Sequence, residues 1–172
     1  MFFETIAVQY VLEAAALTGI AACTVLPCLG RRDPRKVLRV LSALQLLRFG
    51  GVAGALAAIP GNRTPSFLVQ VAIGDALTVL TAIVAIVLLS RRSRRAPLAV
   101  AVLNLIGWLG ILTSEAWLQW LETTGRVTRS VSLHGPTVGA ALFTATHVLA
   151  LWFVARSAPA RRLDVALHDP TN

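Results

Sequence analysis

The sequence predicts an all-α membrane protein, a bundle of five transmembrane helices with the N-terminus outside and the C-terminus in the cytoplasm. Three observations predict this class: long apolar runs, few charged residues, and the grouping of most arginines in short clusters between the runs. Hydrophobic residues make up 56% of the chain and charged residues only 14%, whereas soluble domains average about 25% charged residues. With so few polar groups, the surface of the folded protein would be largely apolar. Lipid rather than water is therefore the expected solvent.

Five apolar runs each supply the roughly 20 residues that a helix needs to cross a bilayer. The first run is expected to be a retained helix rather than a cleaved leader, because its first charges are acidic and it continues past Cys23. The runs follow one another closely, which predicts a single transmembrane domain over residues 1–156. The predicted helices are residues 5–29, 37–59, 66–90, 97–121 and 136–155.

Local signals set the ends of these helices. The first helix stops at the basic stretch 30–36, and the second stops at the turn Pro60–Gly61. The third stops at the arginines of 91–95, and the fourth starts at Pro97, a residue favoured in the first helical turn. The fifth is followed by a short polar cytoplasmic tail, 157–172, in which two prolines are expected to limit any helix.

The distribution of basic residues predicts the orientation. Loops that stay in the cytoplasm carry an excess of Lys and Arg. Twelve such residues fall on the side that holds the C-terminal tail, against three on the other side, so this side is predicted to be cytoplasmic. The twelve are Arg31, Arg32, Arg35, Lys36, Arg39, Arg91, Arg92, Arg94, Arg95, Arg156, Arg161 and Arg162; the three are Arg63, Arg126 and Arg129.

The basic residues also bear on partners. A net charge of +8 would fit nucleic-acid binding, but the charges lie in short clusters between apolar runs. The predicted partners are therefore membrane lipids, with anionic headgroups at the Arg/Lys clusters, and no nucleic acid. Small residues four apart, such as Gly50 and Gly54, allow close helix packing within the monomer, in a homo-oligomer or in a larger membrane complex.

Residue usage also suggests where the protein resides. Fifteen arginines against one lysine are typical of a GC-rich bacterial genome, which favours the bacterial cytoplasmic membrane, the cell inner membrane.

Cys23 and Cys28 lack zinc-ligand spacing and a second pair. No metal site is predicted.

Two neighbouring spans each carry one charge that hydrocarbon should exclude. Arg48 lies about eleven residues before the outer end of the second span, and Asp75 about nine residues after the outer start of the third. At ~1.5 Å per residue, both lie within ~3 Å of the same depth on antiparallel neighbours. We expect a buried ion pair, because each charge offsets the desolvation of the other.

Every predicted span contributes a polar residue near this depth. Glu13 lies in the first span, Glu115 in the fourth and His147 in the fifth. Helical spacing adds further polar residues to the same faces. The predicted polar cluster consists of Glu13, Gln45, Arg48, Asp75, Thr78, Asn104, Glu115 and His147.

The predicted cluster is unbalanced in charge, since Arg48 would face the three carboxyl groups of Asp75, Glu13 and Glu115. Four arrangements would resolve this charge imbalance: a protonated carboxyl group, a charged His147, a bound cation, or opening of the cluster to outer water. The sequence does not distinguish among the four.

Two histidines, His147 within the fifth span and His134 at its edge, raise the possibility of a haem site. His134 and His147 are thirteen residues apart, a spacing that resembles that of ligands in membrane cytochromes of the b type. Haem commonly takes two axial ligands, and no second helix supplies one. No cofactor is therefore predicted, and His134 and His147 remain a minor alternative.

Short motifs over residues 44–110 resemble those of small uncharacterised bacterial multi-pass membrane proteins. They are Gln45-Leu46-Leu47-Arg48, Gly74-Asp75-Ala76-Leu77-Thr78 with Ala82, and Leu103-Asn104-Leu105 with Gly107. The resemblance implies a compact helical bundle in which Arg48, Asp75, Thr78 and Asn104 form one cluster. It implies no activity.

The leading functional interpretation is a small, non-enzymatic integral membrane protein, structural or accessory to a larger assembly, with Arg48–Asp75 as a clamp. The alternative is a proton- or ion-coupled small transporter or channel subunit that acts as an oligomer, since intramembrane carboxylates mark proton and ion pathways. A second alternative is a lipid-modifying membrane enzyme. No phosphate-binding loop, zinc-protease motif or nucleophile elbow is present, so no catalytic residue is predicted.

Overall fold

The computed structural model describes residues 15–20, 23–24, 26–29, 31–60, 65–126 and 134–167. Over this part of the chain the protein is helical and contains no strand, which confirms the all-α prediction. Its helices are α1 (Leu26–Leu29), α2 (Pro34–Leu44), α3 (Phe49–Ala58), α4 (Pro65–Ser90), α5 (Ala96–Thr123) and α6 (His134–Leu167). A 3-10 turn, Gln45–Arg48, joins α2 to α3.

Three helical segments in the described residues are long and apolar enough to cross a membrane. They are Pro34–Ala58, Ser66–Ser90 and Ala96–Leu118, and they coincide closely with the second, third and fourth predicted spans. Ala140–Arg156, within the fifth predicted span, is a shorter apolar helical segment. Most of the first predicted span lies outside the described residues.

Many large apolar side chains lie on the outer surface of the bundle. Leu47 is 67% exposed and Leu98 is 66% exposed. Small residues such as Ala82 and Ala141 are fully buried. Helices in lipid gain little by burying large apolar groups and associate through close packing instead, so this arrangement is typical of a membrane bundle.

The start of α2 has a clear local cause. The Asp33 carboxylate accepts a hydrogen bond of 2.9 Å from the backbone N–H of Arg35, which satisfies a donor that the first helical turn leaves unbonded. Pro34 follows as the first helical residue, where its missing N–H costs nothing. The helix therefore begins three residues before the predicted span, within the basic stretch.

The second predicted span is not one uniform helix. The structure has a helical segment at Pro34–Ala58, which covers the predicted span 37–59 almost completely, and the residues Gln45–Arg48 within it form a 3-10 turn. Side chains three residues apart eclipse in a 3-10 turn, so the turn directs Gln45 and Arg48 to the same side. Both are almost fully buried. Their tertiary partners, described below, explain why the turn forms here.

Apolar side chains from α2, α4, α5 and α6 form a core at one end of the bundle. Val37, Leu89, Val100 and Phe153 belong to it, one from each helix. Each lies within five residues of a basic residue in the sequence. The basic stretches of the described residues therefore share one end of the bundle.

Helix α6 is longer than predicted. The prediction that prolines limit any helix in the tail was wrong at Pro159, because α6 continues through it to Leu167. A proline inside a helix removes one backbone hydrogen bond and displaces the carbonyl four residues earlier, which a local kink can accommodate. Most of the residues around Pro159 are good helix formers, such as Ala158, Ala160 and Arg161.

Candidate functional site

The middle of the bundle holds a buried polar layer, formed by Ser42, Gln45, Thr78, Asn104, Thr146 and His147. One bond in it crosses between the 3-10 turn and α6. The Gln45 side-chain amide donates a hydrogen bond of 2.6 Å to Thr146 Oγ1, and the Thr146 hydroxyl donates to the Phe143 carbonyl at 2.7 Å. The first bond joins residues 101 positions apart and attaches the turn to α6.

A second bond in the layer joins α5 to α6. Asn104 Nδ2 donates to the Val100 carbonyl at 2.6 Å, which leaves Asn104 Oδ1 as the acceptor at 2.8 Å from His147 Nδ1. His147 Nδ1 must therefore carry the proton, because an amide oxygen cannot donate. This assignment follows from the hydrogen-bond network and fixes the orientation of the imidazole ring.

Gly107 makes room for that ring. The opposite nitrogen, His147 Nε2, lies so close to Gly107 that any Cβ at this position would collide with the imidazole. His147 is 1% exposed and has no hydrogen-bond partner at Nε2 among the described residues. Haem ligation does not fit this geometry, since one ring nitrogen is bonded to Asn104 and the other faces the α5 backbone.

Thr78 belongs to the layer but bonds within its own helix. It is fully buried, and its hydroxyl donates to the Gly74 carbonyl at 2.8 Å. This local bond satisfies the hydroxyl without a partner on another helix. Gly74 in turn faces Gly110 where α4 meets α5, and a Cβ on Gly74 would lie 3.5 Å from Gly110 Cα.

The predicted ion pair lies beside this layer. Arg48 Nη1 is 3.0 Å from Asp75 Oδ1, and the two side chains are 3% and 19% exposed. The guanidinium also lies over the ring of Phe143, 4.6 Å from its centroid. The charge of Arg48 is thus surrounded by a carboxylate and the negative face of an aromatic ring, which together compensate its desolvation.

Gly51 holds the carboxylate in place from the other side. Asp75 Oδ2 lies against this glycine, so closely that a Cβ there would collide with the oxygen. By contrast, a Cβ on the preceding Gly50 would meet no atom within 4 Å. The absence of a side chain at position 51 is what allows α3 to approach Asp75.

A cavity of about 440 Å³ opens beside the ion pair. It lies among α3, α4, α5 and α6, and Arg48 and Asp75 form one end of it. Ser114 and Glu115 line its wall, which is otherwise apolar. It extends along α4 to Phe67, eight residues or ~12 Å from Asp75, and so towards the end opposite the basic residues.

The structure brings together much of the predicted cluster, but not as one group. Arg48 and Asp75 meet, Glu115 shares their cavity, and Gln45, Thr78, Asn104 and His147 lie in the buried layer. Glu13 and the side chain of His134 lie outside the described residues. Among those described, no three His, Cys, Asp or Glu side chains are placed to hold a metal ion.

Sequence reasoning missed four contributors: Gly51, Gly107, Phe143 and Thr146. Thr146 directly precedes His147, and adjacent residues on a helix do not share a face, so helical spacing from His147 does not select it. Gly51 could have been identified from the sequence, because it is four residues from Ala55 and three from Gly54 on the face that meets α4. No feature of the sequence points to Phe143, because an aromatic residue in an apolar helix is ordinary.

The comparisons with known proteins returned one match. A family model described as "Domain of unknown function (DUF8737)" matches residues 5–155. Neither the curated proteins nor the solved structures gave a match.

Proposed function

The chain belongs to the family described as a domain of unknown function (DUF8737), and we propose that it is a non-enzymatic integral membrane protein with a structural or accessory role. The family description names no activity, and the geometry of the bundle supports this role. It places the protein in the bacterial cytoplasmic membrane, where it contacts anionic headgroups through its basic end and assembles with a larger complex or with further copies of itself.

The proposed topology has five spans, with the N-terminus outside and the C-terminus in the cytoplasm. Three apolar helices of spanning length support it, as does the sharing of one end by the described basic stretches. Arg156 at this end lies over the ring of Trp152, 5.1 Å from its centroid. Trp and Arg are both enriched where a helix leaves the hydrocarbon.

One observation carries the structural role: the ion pair and the polar layer link the 3-10 turn, α4, α5 and α6. Arg48 joins the 3-10 turn to α4 through Asp75 and contacts α6 through Phe143. Asn104 joins α5 to α6 through His147. Polar contacts of this kind fix which helices meet and in what register, because lipid itself provides little preference.

Affinity purification in a mild detergent tests the accessory role. We expect the wild-type chain to co-purify with a larger membrane protein in a fixed ratio, and Leu98→Ala, on an exposed apolar position, to leave that ratio unchanged. Purification as a lone, folded monomer from its native membrane would contradict the role.

A second candidate function, a proton- or ion-coupled small transporter or channel subunit, is favoured by the cavity that reaches Asp75. Ionisable groups beside an intramembrane cavity mark proton and ion pathways. Proteoliposomes would show a pH-dependent flux that Asp75→Asn abolishes while folding and oligomer size are retained. Equal flux in the two proteins would exclude Asp75 as the coupling residue.

A further inference from the structure

The turn between α4 and α5, residues 91–95, contains four arginines, one of which has a left-handed backbone. The Arg92 N–H donates to the Leu89 carbonyl at 3.3 Å, and the Ser93 N–H donates to the Leu88 carbonyl at 2.9 Å. This pair of bonds is the Schellman motif, in which a residue just past the helix end is left-handed and is usually glycine. Here that residue is Arg92, with a φ of 52°.

The end of α5 has the usual residue in the same position of the same motif. The Arg126 N–H donates to the Leu121 carbonyl at 3.0 Å, and Gly125 between them has a φ of 67°. Glycine adopts this conformation freely, whereas any side chain brings Cβ too close to the backbone. Arg92 therefore destabilises the end of α4 relative to glycine, and it is the only non-glycine residue with a positive φ in the described part of the chain.

No contact with the described residues offsets this cost. Arg92 and the other three arginines of the turn are exposed, and none of the four has an ion-pair partner among the described residues. The one carboxylate that the described side chains place near this end is that of Asp33, which accepts its hydrogen bond from the N–H of Arg35 at the start of α2. A group outside the chain is therefore the natural partner of Arg92.

The position of the turn indicates what that group is. The turn directly joins Ser66–Ser90 to Ala96–Leu118, two helical segments long and apolar enough to cross a membrane. Its arginines therefore lie where both helices leave the hydrocarbon, at the level of the lipid headgroups. A guanidinium group forms charge-assisted, often bidentate hydrogen bonds with phosphate, and phosphate is the anionic group that lipids present at this level.

We propose that the turn 91–95 binds the phosphate of one anionic phospholipid and that Arg92 contacts this phosphate. The proposal rests on the headgroup contact of the basic end proposed above and narrows it from a whole end to a single turn. The other three arginines already supply the positive charge that orients the neighbouring helices. A fourth charge on the left-handed residue, where glycine would be more stable, is explained by a local ligand contact.

Two variants separate a local contact from the overall charge of this end. Arg92→Gly removes the proposed contact and relieves the left-handed backbone at the same time. Arg39→Gln is the matched control, because it removes the same charge from an exposed position on α2 at the same end of the bundle. In micelles of zwitterionic lipid, Arg92→Gly should unfold at a higher temperature than the wild-type protein, since glycine adopts a positive φ without strain.

The binding test is native mass spectrometry of the delipidated full chain in mild detergent, titrated with phosphatidylglycerol or with phosphatidylcholine of the same acyl chains. The wild-type protein should bind its first phosphatidylglycerol at least about fivefold more tightly than phosphatidylcholine. Arg92→Gly should weaken that phosphatidylglycerol by about fivefold, the contribution of one arginine at an anionic lipid surface. Arg39→Gln should weaken it clearly less. Glycerol 3-phosphate, a soluble phosphate ester, should not displace the lipid.

Equal losses for Arg92→Gly and Arg39→Gln would overturn the proposal and leave the headgroup contact of the basic end intact. Equal binding of the two lipids by the wild-type protein would refute both, and this result requires no variant to fold. A lower unfolding temperature for Arg92→Gly would mean that the arginine serves the fold, and displacement by glycerol 3-phosphate would mean that the turn binds soluble phosphates. None of these results bears on co-purification with a larger membrane protein, which tests the accessory role separately.

Discussion

At the scale of single residues, two glycines decide how the polar groups are held. Gly51 lies against Asp75, and Gly107 lies against His147. In both places the backbone of one helix takes the position next to a polar side chain of another, and any Cβ would displace a group that already has a partner. The two glycines are therefore needed because they leave room for a neighbouring side chain, and not because their backbone is flexible.

Gly51→Ala should destabilise the protein, because the new methyl group displaces Asp75 Oδ2 and strains the bond to Arg48. We expect a loss of about 1–3 kcal/mol, the usual cost of disturbing a buried hydrogen-bonded group, measured by reversible unfolding in mixed micelles. Gly50→Ala is the control and should be neutral or stabilising, since alanine favours a helix by up to about 1 kcal/mol over glycine. Equal stability of the two variants would show that Asp75 moves freely.

Gly107→Ala should break the Asn104–His147 bond, because the imidazole cannot remain in place beside a methyl group. A loss of about 1–3 kcal/mol is expected, together with a changed chemical shift of the His147 ring. Gly110→Ala is the matched control on the same helix. A Cβ there would lie 3.7 Å from Gly74 Cα, an ordinary contact, so a loss as large as that of Gly107→Ala would contradict the explanation.

At the scale of elements, the 3-10 turn between α2 and α3 is a tertiary feature rather than a local one. No proline lies within Gln45–Arg48, and the glycines follow it. The turn places Gln45 and Arg48 on one side, where Thr146 and Asp75 accept their hydrogen bonds. The hydrogen-bond partners of Gln45 and Arg48 therefore determine the 3-10 conformation of the backbone in this turn.

Thr146→Val tests this dependence, because it removes the acceptor of Gln45 while keeping the shape of the side chain. Interhelical hydrogen bonds in membranes contribute about 0.5–2 kcal/mol, and we expect a loss of stability in that range. Thr81→Val serves as the control, since the Thr81 hydroxyl donates to the carbonyls of Leu77 and Thr78 in its own helix. A larger loss for Thr81→Val would argue against the bond to α6.

At the scale of the whole molecule, the bundle is built differently at its two ends. The end with the basic residues has an apolar core from four helices. The polar layer follows, then the ion pair, and then the cavity. The closed end and the open end give the bundle a direction, and the topology proposed above, based on the distribution of Lys and Arg, puts the closed end on the cytoplasmic side.

That assignment predicts the accessibility of the termini. In intact cells, a membrane-impermeant reagent should label a tag at the N-terminus and should not label one at the C-terminus until the membrane is permeabilised. Labelling of the C-terminal tag in intact cells would reverse the orientation. Labelling of both tags would mean an even number of spans.

Features of the fold that depend on local chemistry were predictable. A cluster of arginines follows the apolar run that ends at Ser90, and Pro60 follows the apolar run of the second span, so those two boundaries could be predicted without tertiary information. The pairing of Arg48 with Asp75 was predictable because a short turn between antiparallel helices fixes their relative depth. Depth does not fix the rotation of a helix about its axis.

That missing rotation explains the errors at the site. His147 has the right depth to meet the carboxyl groups, yet it faces Asn104 on α5. Thr146, one residue earlier, takes the bond to Gln45 instead. The rotation of α6 is set by packing against α2 and α5, and the sequence of α6 alone does not determine it.

The central claim is that the Arg48–Asp75 pair holds the bundle together, and a double-mutant cycle of Arg48→Gln and Asp75→Asn tests it most directly. Reversible unfolding in mixed micelles gives the free energy for all four proteins. Each single variant should lose about 3–5 kcal/mol, because one charge remains buried alone. The double variant should lose less than the sum of the two by at least about 1 kcal/mol. Additive losses would contradict the claim, since they would mean that the two side chains stabilise the protein independently.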